Sequence, residues 1–428
     1  MQPVVYTLKN GARLVYIATD RFKSELLSMT VTMPLAAATA QQNAMVLALA
    51  RRGTARYPSQ LLLNRHLDGM YSTAVSTANR RTGDLQTLSL TADFLGARFV
   101  GGGTGLLPEV TGVLAELWQS PCQGEDGAYP AAYVESEKQV LRDAIRARIN
   151  APRAYARMRC RELLCEGEPY ALSLIGEDDT VDALNGVDLA RRHRALQASA
   201  APVFCYVGAT ASVLVASVLE AHFAAFAAPA PFTTLFLPHT GEKHTATEEM
   251  PLAQGKLSLG FRTDLTPKDA LSPALVVMNE IYGGSPASKL FLNVRERRSL
   301  CYSCSSTLDI YKGVLFADCG MRAENRAICE EAMLAELDAI RRGEITDTEL
   351  DAAKRALANA YRQSHDSTAS LARFHVGRLL VDKFELVDDW REAIARVTRT
   401  DVVAAAARVA QGARFFLQGM LDEGEGQE

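Results

Sequence analysis

The chain has 428 residues, 48% hydrophobic and 22% charged, with a net charge of −4. Its length exceeds an ordinary domain of about 100–150 residues, and its balance excludes extended disorder, so two or more packed cores are expected. The mildly acidic charge excludes a nucleic-acid binder, which needs a basic face; no run approaches ~18–20 uncharged apolar residues and the start lacks a basic region before an apolar one, so no membrane association and a cytoplasmic location are expected.

Thr7 to Ile17 places an Asn10-Gly11 turn between β-rich flanks, the strongest short hairpin signal. Leu26–Met33 reads as a further strand, Gln41–Arg52 as a helix, Leu85–Ala92 as a strand, and Ala131–Arg148 as a long helix. Pro202–Gly208 reads as a strand ending in glycine, preceded by a helical run from Asp188. Ala211–Ala228 looks helical, and Pro229, Pro231 and Pro238 then mark a linker before the strand Gln254–Phe261. Ser285-Pro286 suits a helix start, since Ser can cap and Pro fits the first helical position; this helix should run to Arg298, with Leu300–Thr307 as a strand. Thr346 and Glu349 form a capping box before the helix that begins at Leu350.

Ala413–Gly419 repeats the pattern of Pro202–Gly208, again after a helical run, here from Asp401. The two glycines lie 211 residues apart, about half the chain, which points to duplicated halves. The division expected from this is residues 1–228, a linker over 229–247, and residues 248–428.

Several phrases in order carry a family resemblance: Arg52-Gly53-Thr54-Ala55-Arg56-Tyr57-Pro58, the Ser285–Phe291 helix start, Val294-Arg295-Glu296 with Tyr302 seven residues after the arginine, and the Gly343–Lys354 helix entry. Together they resemble the insulinase/pitrilysin peptidases over nearly the whole chain. The resemblance implies an α+β fold of two homologous halves, each a sheet flanked by helices. It is closest to the bacterial elongation factor P 5-aminopentanol modification-associated proteins, in which a zinc-less chain accompanies a zinc-bearing one.

Active members of this family carry H-x-x-E-H on a helix just before the Gly-Thr phrase. That spacing sets two imidazoles one turn apart on Zn²⁺, with a Glu beside the bound water, and a later Glu completes the ligands. Registered on Gly53-Thr54, the matching positions are Ala44, Leu47 and Ala48. The distal ligand, seven residues after the Glu of Glu137-Lys138, becomes Ala144. Alkyl side chains can neither bind zinc nor move a proton, so no metal and no peptidase activity are expected of this chain.

The resemblance also implies an Arg and a Tyr, seven apart on the second half, that hold the substrate backbone and polarise the scissile carbonyl. Arg295 and Tyr302 match them, and a guanidinium and a phenol are suitable donors to a developing oxyanion. The blander alternative is a surface ion pair and a packed strand tyrosine. The leading expectation is a subunit that pairs with a zinc-bearing homologue and lends Arg295 and Tyr302 to a peptide at the partner's Zn²⁺. The alternative is a structural or peptide-holding scaffold; in isolation the chain could form a homodimer.

Other patterns support no site. His239 and His244 flank a Glu-containing stretch, but five apart, with a glycine, they would not share a helical face. Cys301-Tyr302-Ser303-Cys304 is a single C-x-x-C in an expected strand, where residues three apart point to opposite faces, so two partly buried thiols are expected. Gly101–Gly105 lacks the lysine of a phosphate loop and reads as a surface loop, and Asp422–Glu428 as a frayed acidic tail. The eight cysteines, mostly in apolar surroundings, should be free thiols in a reducing compartment.

Overall fold

The structure is a computed structural model that describes residues 2–101, 104–199, 201–223, 225–226, 234–238 and 241–420. The Pro229-Ala230-Pro231 linker, His239, part of the Gly101–Gly105 loop and the acidic tail lie outside the described residues. No helix among the described residues is long and apolar enough to cross a membrane.

The chain forms a mixed α+β fold with two sheets. The first has the order β1-β2-β6-β3-β5-β4, built from β1 (Val4–Thr7), β2 (Arg13–Ala18), β3 (Ser24–Pro34), β4 (Ala74–Thr82), β5 (Leu85–Leu95) and β6 (Val203–Gly208). The expected hairpin joins β1 to β2, and Gly11 supplies the left-handed backbone of its turn with φ +86°. The second sheet has the order β7-β11-β8-β10-β9, from β7 (His244–Met250), β8 (Gly255–Arg262), β9 (Ser303–Asp309), β10 (Val314–Met321) and β11 (Ala410–Gly419). β2 runs parallel to β6 as β7 does to β11, and β6-β3-β5-β4 and β11-β8-β10-β9 are both antiparallel. The repeat signalled by Gly208 and Gly419 is therefore a repeat of sheet topology.

Along the central strands of the first sheet, successive residues serve two cores. Leu14, Leu27, Phe204 and Tyr206 face one apolar cluster, while Val15, Leu26, Cys205 and Val207 face another. That period of two, apolar on both faces, is what a sheet covered on both sides requires.

The two compact units differ from the two sequence halves. One comprises residues 1–146, 172–233 and 364–386; the other comprises 147–171, 234–363 and 387–428. Each half gives the other unit one helix. The Pro152–Leu164 helix sets Ala156, Cys160 and Leu164, one turn apart, against Phe316, Phe415 and Leu417 of the second sheet. The Thr368–Leu380 helix sets Leu371, Val376 and Leu380 against Val15, Leu26 and Val207 of the first. These helices start 216 residues apart, close to the 211-residue repeat, so the exchange is between equivalent elements. A cut at residue 228 leaves each sheet without the helix that covers one of its faces.

Charge reinforces the exchange in the second unit. Arg157 donates to the buried Asp318 of β10 at 2.7 Å, and Arg159 to Glu248 of β7 at 2.8 Å. Beyond the helix, Glu168 is paired with both Arg262 and Lys312, the latter at 2.6 Å, and both Glu168 and Lys312 are buried.

Candidate functional site

The positions that match the family's zinc ligands and its catalytic Glu lie in the first unit. Ala44, Leu47 and Ala48 belong to the Ala37–Ala50 helix, and Ala144 to the Ala131–Arg146 helix that packs against it. Ala44 and Ala48 sit one turn apart on a half-buried face, Leu47 is part of the apolar core, and Ala144 is exposed. Nothing on these side chains can hold a cation.

The Ala37–Ala50 helix is held instead by a buried amide network. Asn43, fully buried, donates to Gln86 Oε1 at 2.7 Å and accepts from Arg192 Nε at 2.8 Å. Gln86 passes its own amide hydrogens to Ala40 O and Asn79 Oδ1. Nearby, Glu137 is paired with Arg52, whose guanidinium also donates to Ser136 at 2.8 Å. Each polar group satisfies another, so the region is built for rigidity.

Restoring Ala44→His, Leu47→Glu and Ala48→His together is expected to add at most weak zinc binding over the parent chain. Ala144 supplies no carboxylate, and the carboxylate introduced in place of Leu47 would be buried among apolar side chains. Metal titration against the parent chain checks this, and nanomolar added affinity would show that the register is wrong.

Arg295 and Tyr302 lie in the second unit. The helix that carries Arg295 begins at Leu290, not Pro286, and runs to Arg297 with wide π-type turns; Ser285–Ser288 form a turn before it. A first wide-turned stretch, Glu280–Gly284, precedes it. There the chain lies so close to β9 that a Cβ on Gly283 would be 2.5 Å from the Ser306 backbone nitrogen, so glycine is required. Such turns are rare and often accompany functional positions.

The Arg295 guanidinium lies over the Phe291 ring, 4.6 Å from its centre, and reaches Glu296 at 3.6 Å. It is half-buried, whereas Arg298 is exposed. The helix then closes on Ser299 in the left-handed conformation, φ +49°, with Leu300 N–H donating to Val294 O at 3.3 Å. This seven-to-one closure, one residue wider than the bond that ends an ordinary α-helix on a left-handed residue, reverses the chain at once. Tyr302 consequently precedes the strand instead of lying within it: β9 begins at Ser303, and Tyr302 N–H donates to Gly320 O at 2.8 Å. The Tyr302 ring is 45% exposed. The same reversal carries the chain from the Arg295 helix into the Cys301–Tyr302 stretch.

The C-x-x-C behaves differently from its sequence expectation. Strand alternation does not govern Cys301, because the strand starts two residues later, and the Cys301, Cys304 and Cys319 sulfurs all lie within 4.8 Å of one another. Cys304 faces Cys319 across the β9–β10 pair, whose register closes on Asp309 opposite Val314 with Gly313 at φ +71° in the turn. A hairpin reading centred on Gly313 is the signal that could have joined these cysteines from sequence.

The sequence profile of the family described as Peptidase M16 inactive domain matches residues 188–357. A protein of Bacillus subtilis described as a probable inactive metalloprotease, YmfF, is 28% identical over 96% of this chain and 97% of its own length. An uncharacterized zinc protease of the same organism, YmxG, is 26% identical over 60% of this chain and 63% of its own length. Among solved structures, a conserved protein from Enterococcus faecalis superposes with a TM-score of 0.90 at 23% identity, covering 98% of this chain and 99% of that one.

Proposed function

Because the chain is an insulinase-like family member of the inactive kind, we propose that it is the non-catalytic subunit of a cytoplasmic zinc-peptidase assembly. It pairs with a zinc-bearing homologue and presents Arg295 and Tyr302 to a peptide held at the partner's Zn²⁺. One contrast carries this reading. The three ligand positions have become Ala44, Ala48 and Ala144 and the position of the catalytic Glu has become Leu47, whereas Arg295, packed on Phe291, and a half-exposed Tyr302 stand at the matching donor positions. A chain kept solely as a scaffold has no use for two polar donors set on a rare helix and its cap.

Chemically, the partner's metal would supply the activated water and polarise the carbonyl. Tyr302 would donate its phenol proton in a hydrogen bond to the carbonyl oxygen as charge develops there, and Arg295 would orient the peptide backbone through its fork of N–H donors.

The reading is tested by co-expressing the chain with the zinc-bearing homologue of its native cell. A stable complex that cleaves peptides, with both separate chains inactive, is the expected result. A zinc-bearing chain fully active alone, or no complex with any such homologue, would leave the scaffold role instead.

A further inference from the structure

The thiols around β9 form a second candidate centre, independent of the zinc positions in the first unit. We propose that Cys301, Cys304 and Cys319 bind a single thiophilic closed-shell cation, Zn²⁺ or Cu⁺. Sulfurs that share a tetrahedral Zn²⁺ at about 2.3 Å stand roughly 3.8 Å apart, and the three here already lie within 4.8 Å of one another. Small side-chain rotations close that gap.

The backbone fixes the set in advance. Cys304 and Cys319 are directly opposed in the β9–β10 register, and Cys301 is held between two hydrogen-bonded neighbours, Leu300 on Val294 and Tyr302 on Gly320. Cys329, near the start of the Arg326–Arg341 helix, donates its S–H to Leu300 O at 3.4 Å. The converging set is therefore three thiolates, enough for Cu⁺ and leaving one position of a tetrahedral Zn²⁺ for another ligand. Three mutually close thiols cannot all pair as disulfides, but one cation can take all three.

Binding releases the thiol protons to solvent. Tyr302 is flanked by two of the ligands, so the bound ion would hold its backbone in place.

The test uses the full chain, reduced and kept free of oxygen. It is loaded with Zn²⁺ in one arm and Cu⁺ in another, passed over a desalting column with a competing chelator, and analysed for metal and protein. One ion per chain retained in either arm is expected, and the arm identifies the ion. Co²⁺ used as a probe should give a sulfur-to-metal charge-transfer band. Cys301→Ser, at the ligand nearest solvent, should lower affinity by more than about tenfold, whereas Cys122→Ser should leave it unchanged. If Cys304→Ser or Cys319→Ser misfolds, Cys301→Ser and the Co²⁺ spectrum still decide. Retention well below one ion in both arms, or retention indifferent to Cys301→Ser, would overturn the proposal, as would a Co²⁺ spectrum without the sulfur band where Zn²⁺ is the ion retained.

Discussion

Tyr302→Phe is expected to lower the peptide turnover of the assembled complex by roughly 10²–10³-fold, the effect of losing one preorganised donor to a transition-state oxyanion, about 2.7–4 kcal/mol. The substitution removes a single O–H from a half-exposed ring. The backbone N–H that anchors the residue to Gly320 is untouched, so folding and partner binding should hardly change. The loss should fall on kcat rather than on KM, since the hydrogen bond strengthens only as negative charge develops. Tyr282 is a poor control, because its hydroxyl is buried and donates to Met333 O at 3.1 Å. The exposed Tyr71 serves better, and Tyr71→Phe should leave turnover unchanged. Steady-state kinetics of the reconstituted complex decide the matter; full activity in Tyr302→Phe would transfer the case to the scaffold role.

Glu168→Gln is expected to destabilise the second unit by about 3–5 kcal/mol, the usual cost of breaking a buried ion pair from one side. Glu168 is the shared anion between Arg262 and Lys312, and the Lys312 side chain has no solvent exposure. Neutralising it leaves two cations drawn together without the charge between them. The side chain is nearly isosteric, so the effect is electrostatic and not a cavity. Because Glu168 follows the exchanged Pro152–Leu164 helix, the loss should also loosen the anchoring of that segment on its sheet. Thermal unfolding should show a midpoint lower by on the order of 10 °C for this unit. A shift of only a degree or two would mean that other groups around Lys312 carry its charge.

Much of the local structure was legible in the residues themselves. The Asn10-Gly11 hairpin formed because only a residue tolerant of positive φ completes that turn. The capping box formed as written, with Thr346 N–H donating to Glu349 at 2.8 Å and Glu349 N–H to Thr346 Oγ1 at 3.2 Å. The loss of the zinc ligands needed no coordinates, since alanine and leucine lack lone pairs wherever they are placed. The reading slipped at the helix expected from Pro286, which starts at Leu290 because Ser285–Ser288 close a local turn, with Ser288 N–H donating to Ser285 O at 3.1 Å.

By itself, then, the sequence determined the duplicated pattern, the turns and caps, and the chemistry missing from Ala44, Leu47, Ala48 and Ala144, because each depends on one residue's own shape or on neighbours within a few positions. Tertiary structure alone decided three things. It gave the Pro152–Leu164 and Thr368–Leu380 helices to opposite units, a choice between two similar sheets that an apolar stripe of generic spacing cannot encode. It reversed the chain at Ser299, so that Tyr302 precedes the strand expected to contain it. It gathered Cys301, Cys304 and Cys319 within 4.8 Å, because strand register and chain reversal fix side-chain convergence and neither is written in the spacing of the cysteines.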